Sequence, residues 1–141
     1  MTSVLNVDTI VDKAGSGGTN VKVANNAVAV AEGGGATTNV VQGLTKQWCN
    51  MSGQSTPSFR NSFNSSSITD VGTGQHNIFL TNALDNADFV ITGGKANQAS
   101  NAGNATGIGV VSTSAYQVVT YENGSVVDVG QQYYSLNGDL A

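Results

Sequence analysis

His76 and Cys49 are the sole histidine and the sole cysteine among 141 residues, so nitrogen- or sulfur-based chemistry has only two candidate groups. A metal held by both would need two more ligands, and none stands at a recognisable spacing. With no set of partners converging in sequence, His76 reads as a packed or solvated residue rather than a base. Among the oxygen donors, Asp85-Asn86-Ala87-Asp88 suits calcium, yet the acidic closing ligand at EF-hand spacing is missing. Paired-carboxylate catalysis by Asp70, Asp85, Asp88 or Asp128 stays open, because pairing is spatial; a solvated turn residue is the simpler reading of each. Gly15-Ser16-Gly17-Gly18 lacks the strand–glycine–helix context of a phosphate cradle, and no Gly-Lys-Ser/Thr follows, so it reads as a loop. Tyr133-Tyr134 and the Tyr116/Tyr121 pair offer stacking surface for sugars, with core packing the weightier alternative. The expectation is a non-enzymatic chain with no catalytic residue, metal site or cofactor.

The elements that would position these residues are strands. Eighteen glycines against one proline argue against helices, where an interior glycine costs about 1 kcal/mol relative to alanine. The aliphatic residues are mostly valine, which fits pleated strands. Only 10% of residues are charged, against roughly 25% in ordinary domains, so Asn, Ser, Thr, Gln and Gly must solvate the surface. A net charge of −4, with Lys13, Lys22, Lys46, Arg60 and Lys95 scattered, gives no basic stripe for nucleic acid. No apolar run approaches the roughly 18 residues of a spanning helix, so no membrane insertion is expected. Residues 1–6 lack the basic lead and apolar block of an export signal. A lone Cys49 fits synthesis in a reducing cytosol, an intermolecular bridge being the alternative.

Residues 1–44 read as an amino-terminal β-arm. Leu5-Asn6-Val7-Asp8-Thr9-Ile10 alternates imperfectly at period two, residues 14–20 break it, and Val21-Lys22-Val23 is a second short strand. Residues 27–31 are a third, with a short Ala-rich helix as the alternative, and Val40-Val41 opens a fourth that ends near Gly43. Small side chains in short strands cannot bury enough apolar area in one chain to offset roughly 1–2 kcal/mol of backbone ordering per residue. The arm is therefore either disordered alone or intertwined with sister copies. Regular valine spacing favours a homotrimer, with Leu5, Val7, Ile10, Val21, Val23, Val28 and Val30 as its trimerisation and attachment residues.

Residues 45–141 hold every aromatic residue and so the expected compact core. Residues 47–51 read as a strand with Trp48 on one face, and residues 59–81 as strand, Gly72-Thr73-Gly74 turn and strand. Residues 89–92 form a strand ended by Gly93-Gly94, and residues 96–107 a polar loop. Residues 108–111 are a strand, then 116–121 and 125–129 a hairpin turning at Asn123-Gly124, and 133–136 close the set. Short strands at about ten-residue spacing describe an all-β, β-sandwich or jelly-roll-like knob. Binding is expected on the loops 96–107 and 122–125, through Asn97, Gln98, Asn101, Asn104, Glu122 and Asn123.

The run Trp48-Cys49-Asn50-Met51-Ser52-Gly53, followed by Phe59-Arg60-Asn61-Ser62-Phe63-Asn64-Ser65-Ser66-Ser67-Ile68-Thr69-Asp70-Val71-Gly72-Thr73-Gly74, resembles a module of tail-fibre-like virion proteins of marine and freshwater tailed phages, including cyanophages. Thr81-Asn82-Ala83, Asp88-Phe89-Val90-Ile91, the ending Gly138-Asp139-Leu140-Ala141 and the opening Leu5-Asn6-Val7-Asp8-Thr9-Ile10 fit the same pattern. The likeness covers roughly residues 45–141 and the first dozen, while residues 20–43 are longer and richer in Gly and Asn than the connector it leads one to expect. It implies a trimeric structural protein of the virion, assembled in the host cytoplasm, with other virion proteins (tail, baseplate or capsid) and a host cell-surface glycan as partners. It carries no catalytic residue across. A capsid decoration or cement protein is the main alternative, with a glycan-binding module or depolymerase behind it.

Overall fold

The computed structural model describes residues 28–30, 37–96 and 105–139. In chain order the elements are β1 (Val28–Val30), β2 (Thr37–Asn39), α1 (Val40–Gly43), β3 (Gln47–Ser52), β4 (Ser58–Phe63) and β5 (Ser65–Gly72). They continue with β6 (Gln75–Leu80), β7 (Val90–Lys95), β8 (Ala105–Ser112), β9 (Ala115–Glu122), β10 (Ser125–Val126) and β11 (Gln132–Asn137). The protein is all-β; among the described residues the one helical turn is four residues long. Two compact units divide it, Met1–Val41 and Gln42–Ala141.

In the first unit the described strands β1 and β2 pair antiparallel, Val28 opposite Asn39 and Val30 opposite Thr37. The strand expected from Val40-Val41 is instead helical turn α1. Leu5, Val7, Ile10, Val21 and Val23 lie outside the described residues; of the two remaining arm residues, both in β1, the Val28 side chain is exposed.

The second unit consists of two antiparallel sheets. One runs β4–β3–β11–β7; the other runs β10–β9–β6–β5, with β8 also paired to β9. Period-two alternation in the central strands makes the core: β3 and β11 each read buried at alternate positions, as do β6 and most of β9. Cys49, Met51, Tyr134 and Leu136 from one sheet meet Ile78, Leu80, Tyr116 and Val118 from the other, with Leu84 and Phe89 completing the cluster. Full burial of a side chain such as Leu136 contributes about 1.5–3 kcal/mol. The rings of Tyr116 and Tyr134 cross edge to face, 6.3 Å between centroids, an arrangement favoured by their quadrupoles.

Two sequence expectations change at glycines. Gly93-Gly94 does not end β7 but lies inside it, because Gly93 passes so close to β11 that a Cβ there would meet Tyr133 O at 2.1 Å. β10 is shorter than the expected 125–129. Thr120 explains this: its carbonyl accepts from Val127 N while its own N–H donates to Gly74 O, so β6 takes over the β9 edge at this point. Gly74 (φ 63°) packs directly against Val127 there. The hairpin turn itself is as expected, with Asn123 and Gly124 both at positive φ.

The chain passes from one sheet to the other at Asn64, which sits between β4 and β5 in the left-handed region (φ 54°). Its Nδ2 donates to Lys46 O (3.0 Å) and Asn82 O (3.2 Å), and its Oδ1 accepts from Asn82 N at 2.7 Å. Asn tolerates this conformation better than other residues with a Cβ. Asn64→Ala is expected to cost about 2 kcal/mol from lost bonds and backbone strain, and Asn64→Gly less, measured as urea midpoints at equal m-value.

Candidate functional site

Two concave regions of the unit's surface contrast in chemistry. The first, about 470 Å³, is polar and is lined by Gln54, Arg60, Lys95, Glu122, Asp128 and Gln131, among others. Lys95 ends β7 with its side chain only 6% exposed and its Nζ 3.9 Å from Glu122 Oε1. Arg60 Nη2 donates to Gly130 O at 2.8 Å, and Asp128 Oδ1 accepts from Gly74 N at 2.6 Å. These charged groups therefore tie strand ends and turns together. Of the residues expected to bind through loops, Glu122 belongs to this wall and Asn123 is exposed at the hairpin tip. Asn97, Gln98, Asn101 and Asn104 lie outside the described residues.

The second region lies on the outer face of the four-stranded sheet, and register builds it. Trp48 stands opposite Phe63 on one side and Ser135 on the other, and Ser135 stands opposite Thr92. The next row runs Asn61, Asn50, Tyr133, Gly94. Trp48 and Tyr133 are thus diagonal neighbours on adjacent strands, with Cβ atoms roughly 7–8 Å apart by sheet geometry. They flank an open groove of about 390 Å³ that also involves Asn50, Thr92, Gly93 and Ser135. Thr92 Oγ1 and Ser135 Oγ share a hydrogen bond of 2.8 Å. Asn50 Oδ1 is buried and has no hydrogen-bond partner among the described residues. The compact core lies within residues 45–141 as expected, but Trp48 is 40% exposed, Tyr133 42% and Phe63 54%. Only Phe89, Tyr116 and Tyr134 among the aromatics are buried. Of the four tyrosines weighed as sugar-stacking surface, Tyr116 and Tyr134 face inward and Tyr133 faces out.

The groups with intrinsic reactivity are turned inward. His76 is fully buried on the inner face of β6, and neither ring nitrogen has a hydrogen-bond partner among the described residues. Cys49 is buried too, beyond reach of an intermolecular disulfide; burial pushes its thiol above the ordinary value, against weaker opposing bonds from Tyr116, Gln47 and Tyr134. Burial likewise raises the phenols of Tyr116 and Tyr134, with the neighbouring Cys49 adding to both. Tyr116 OH donates to Gln47 Oε1 (3.2 Å), Gln47 Nε2 to Ser65 Oγ (2.8 Å), and Tyr134 OH to Gln132 Oε1 (2.8 Å). These bonds satisfy polar atoms that burial would otherwise penalise by about 1–3 kcal/mol each. Among the described residues, no three of His, Cys, Asp and Glu gather as a metal site. Asp70 accepts from Gly72 N in its own turn, and Asp88 N–H is bonded by Asn86 Oδ1.

Comparison of the chain with protein-family models, with curated proteins and with solved structures returns no match.

Two outcomes follow from this inside–outside division. Trp48 emission in the native protein is expected at long wavelength and readily quenched by acrylamide; a blue, protected spectrum would contradict its position. Below the ordinary thiol and phenol values of 9.0 and 10.0, folded and unfolded chains hold the same protons. Above them the unfolded chain releases protons that the folded chain retains, so stability falls as pH rises. Denaturation midpoints from pH 8 to about 11 are expected to drop, and to drop less steeply in Tyr116→Phe.

Proposed function

We propose that this chain is a structural protein of a bacteriophage virion, a short trimeric fibre whose arm (1–44) attaches to the particle and whose knob (45–141) meets the host surface. The observation that carries the reading is the exposed aromatic face of the second unit: Trp48, Phe63 and Tyr133 stand outside while the titratable His76 and Cys49 are locked within. That division suits recognition rather than turnover, since charge-poor aromatic surface is typical of contact sites. The likeness of residues 45–141 to tail-fibre-like modules supplies the particle. A jelly-roll-like knob and an intertwined arm belong to the same proposal.

Edge strand β8 supports association of copies. It presents Ile108, Val110 and Val111 to solvent, and an apolar edge strand of this kind favours pairing with another chain. Three copies would raise avidity for a repetitive host surface through effective concentration.

Light scattering of the full chain should give three times 14.3 kDa, and labelled antibody should mark the tail of intact particles. A stable monomer rejects the trimer, and label on the head reassigns the protein to capsid decoration.

A further inference from the structure

We infer that the outer face of the four-stranded sheet binds a neutral, hexose-based glycan, seated in the groove between Trp48 and Tyr133. This deepens the fibre reading by naming its ligand, and moves recognition from the loops to a sheet face, where strand pairing holds the contact residues in place.

The chemistry of the two facing rows selects the ligand. Neither row contains Lys, Arg, Asp or Glu, so a phosphate, nucleotide or acidic peptide would find no counter-charge. What the rows present is aromatic rings, hydroxyls and carboxamides. A pyranose ring has a face of C–H groups and a rim of hydroxyls; the face packs on an indole or phenol ring, and the rim exchanges hydrogen bonds with hydroxyl and amide groups. Thr92 and Ser135 bond each other, and each keeps a free lone pair for a sugar hydroxyl. Asn50 lines the groove, and its buried Oδ1 has no hydrogen-bond partner among the described residues.

The floor matters as much as the walls. Gly93 contributes backbone to the groove's lining, between Thr92 and the neighbouring Gly94, which stands opposite Tyr133. A Cβ on Gly94 would meet nothing closer than Thr106 Oγ1 at 4.0 Å, so packing does not demand glycine there. The groove's volume of about 390 Å³ falls within the roughly 300–1,000 Å³ usual for small-ligand sites. A second copy of the chain is the poorer occupant. A hydroxyl-rimmed sugar can use the remaining hydrogen-bonding capacity of these hydroxyls and amides, which an apolar partner cannot, whereas β8 offers a second copy the exposed aliphatic Ile108, Val110 and Val111.

Trp48, the sole tryptophan, reports directly on the groove. Full-length protein is titrated with linear glucose-, mannose- and galactose-based hexasaccharides. At least one is expected to quench or blue-shift Trp48 emission saturably, with matching heat by calorimetry. Tyr133→Ala, which keeps the reporter, and Trp48→Ala, followed by calorimetry, should each weaken binding about tenfold or more. Thr92→Arg, which fills the groove and leaves both rings, should do the same. Val71→Ser, exposed on β5, should leave the dissociation constant unchanged. The inference is overturned if no probe gives a signal, or if binding survives both ring substitutions. It is also overturned if emission shifts blue with protein concentration alone, since a second copy then covers the face. None of these results bears on where the protein sits in a particle, so the fibre reading stands or falls separately.

Discussion

Adjacent residues in a strand must point to opposite sides of the sheet, and in β11 this constraint separates two tyrosines with identical side chains. Tyr134 turns inward to cross Tyr116 and donate to Gln132; Tyr133 turns outward to wall the groove. The same constraint in β3 buries Cys49 and exposes Trp48. Because β3 and β11 pair side by side, the inward residues of both meet one core and the outward residues of both meet one surface. A slip of one residue would exchange the two sets, placing a phenol and an indole inside and a thiol outside. The core and the candidate site are therefore two faces of a single register.

That register is protected by a core less apolar than most. Gln47, His76, Thr120 and Gln132 are fully buried beside the aliphatic cluster. Gln47 and Gln132 accept the hydroxyls of Tyr116 and Tyr134, and Thr120 donates to Val127 O at 2.6 Å. Bonds of this kind have directional requirements that dispersion contacts lack, and a shifted strand would unpair Tyr116 from Gln47 and Thr120 from Val127, while the Tyr134–Gln132 bond lies within β11. Small strands rich in Val, Ser and Gly otherwise slip easily; buried amides and hydroxyls penalise every register but one.

Function is best understood from what the unit displays and what it hides. The reactive groups are enclosed. The exposed rings are distributed over β3, β4 and β11; β11 is far from the other two in sequence but lies beside β3 in the sheet. Recognition on such a face needs no loop to order itself, so little conformational entropy is lost on binding. Weak individual contacts would suit a protein that acts in several copies.

The amino-acid sequence by itself determined the all-β class, through its glycines and valines, and the Asn123-Gly124 hairpin, whose positive φ angles few other residue pairs accept. It determined the period-two alternation in β3, β6, β9 and β11, because alternation is a local property of the pleat. It could not say which phase of each alternation faces inward, nor that Gly93 continues a strand, because both depend on which strand lies alongside. Val40-Val41, β-branched by sequence, form the helical turn α1 instead of a strand, because propensity is local and context overrides it. Pairing of β11 with both β3 and β7 joined Trp48 to Tyr133 across 85 positions. Only tertiary structure decides that pairing, since hydrogen bonds between strands connect residues by register rather than by distance along the chain.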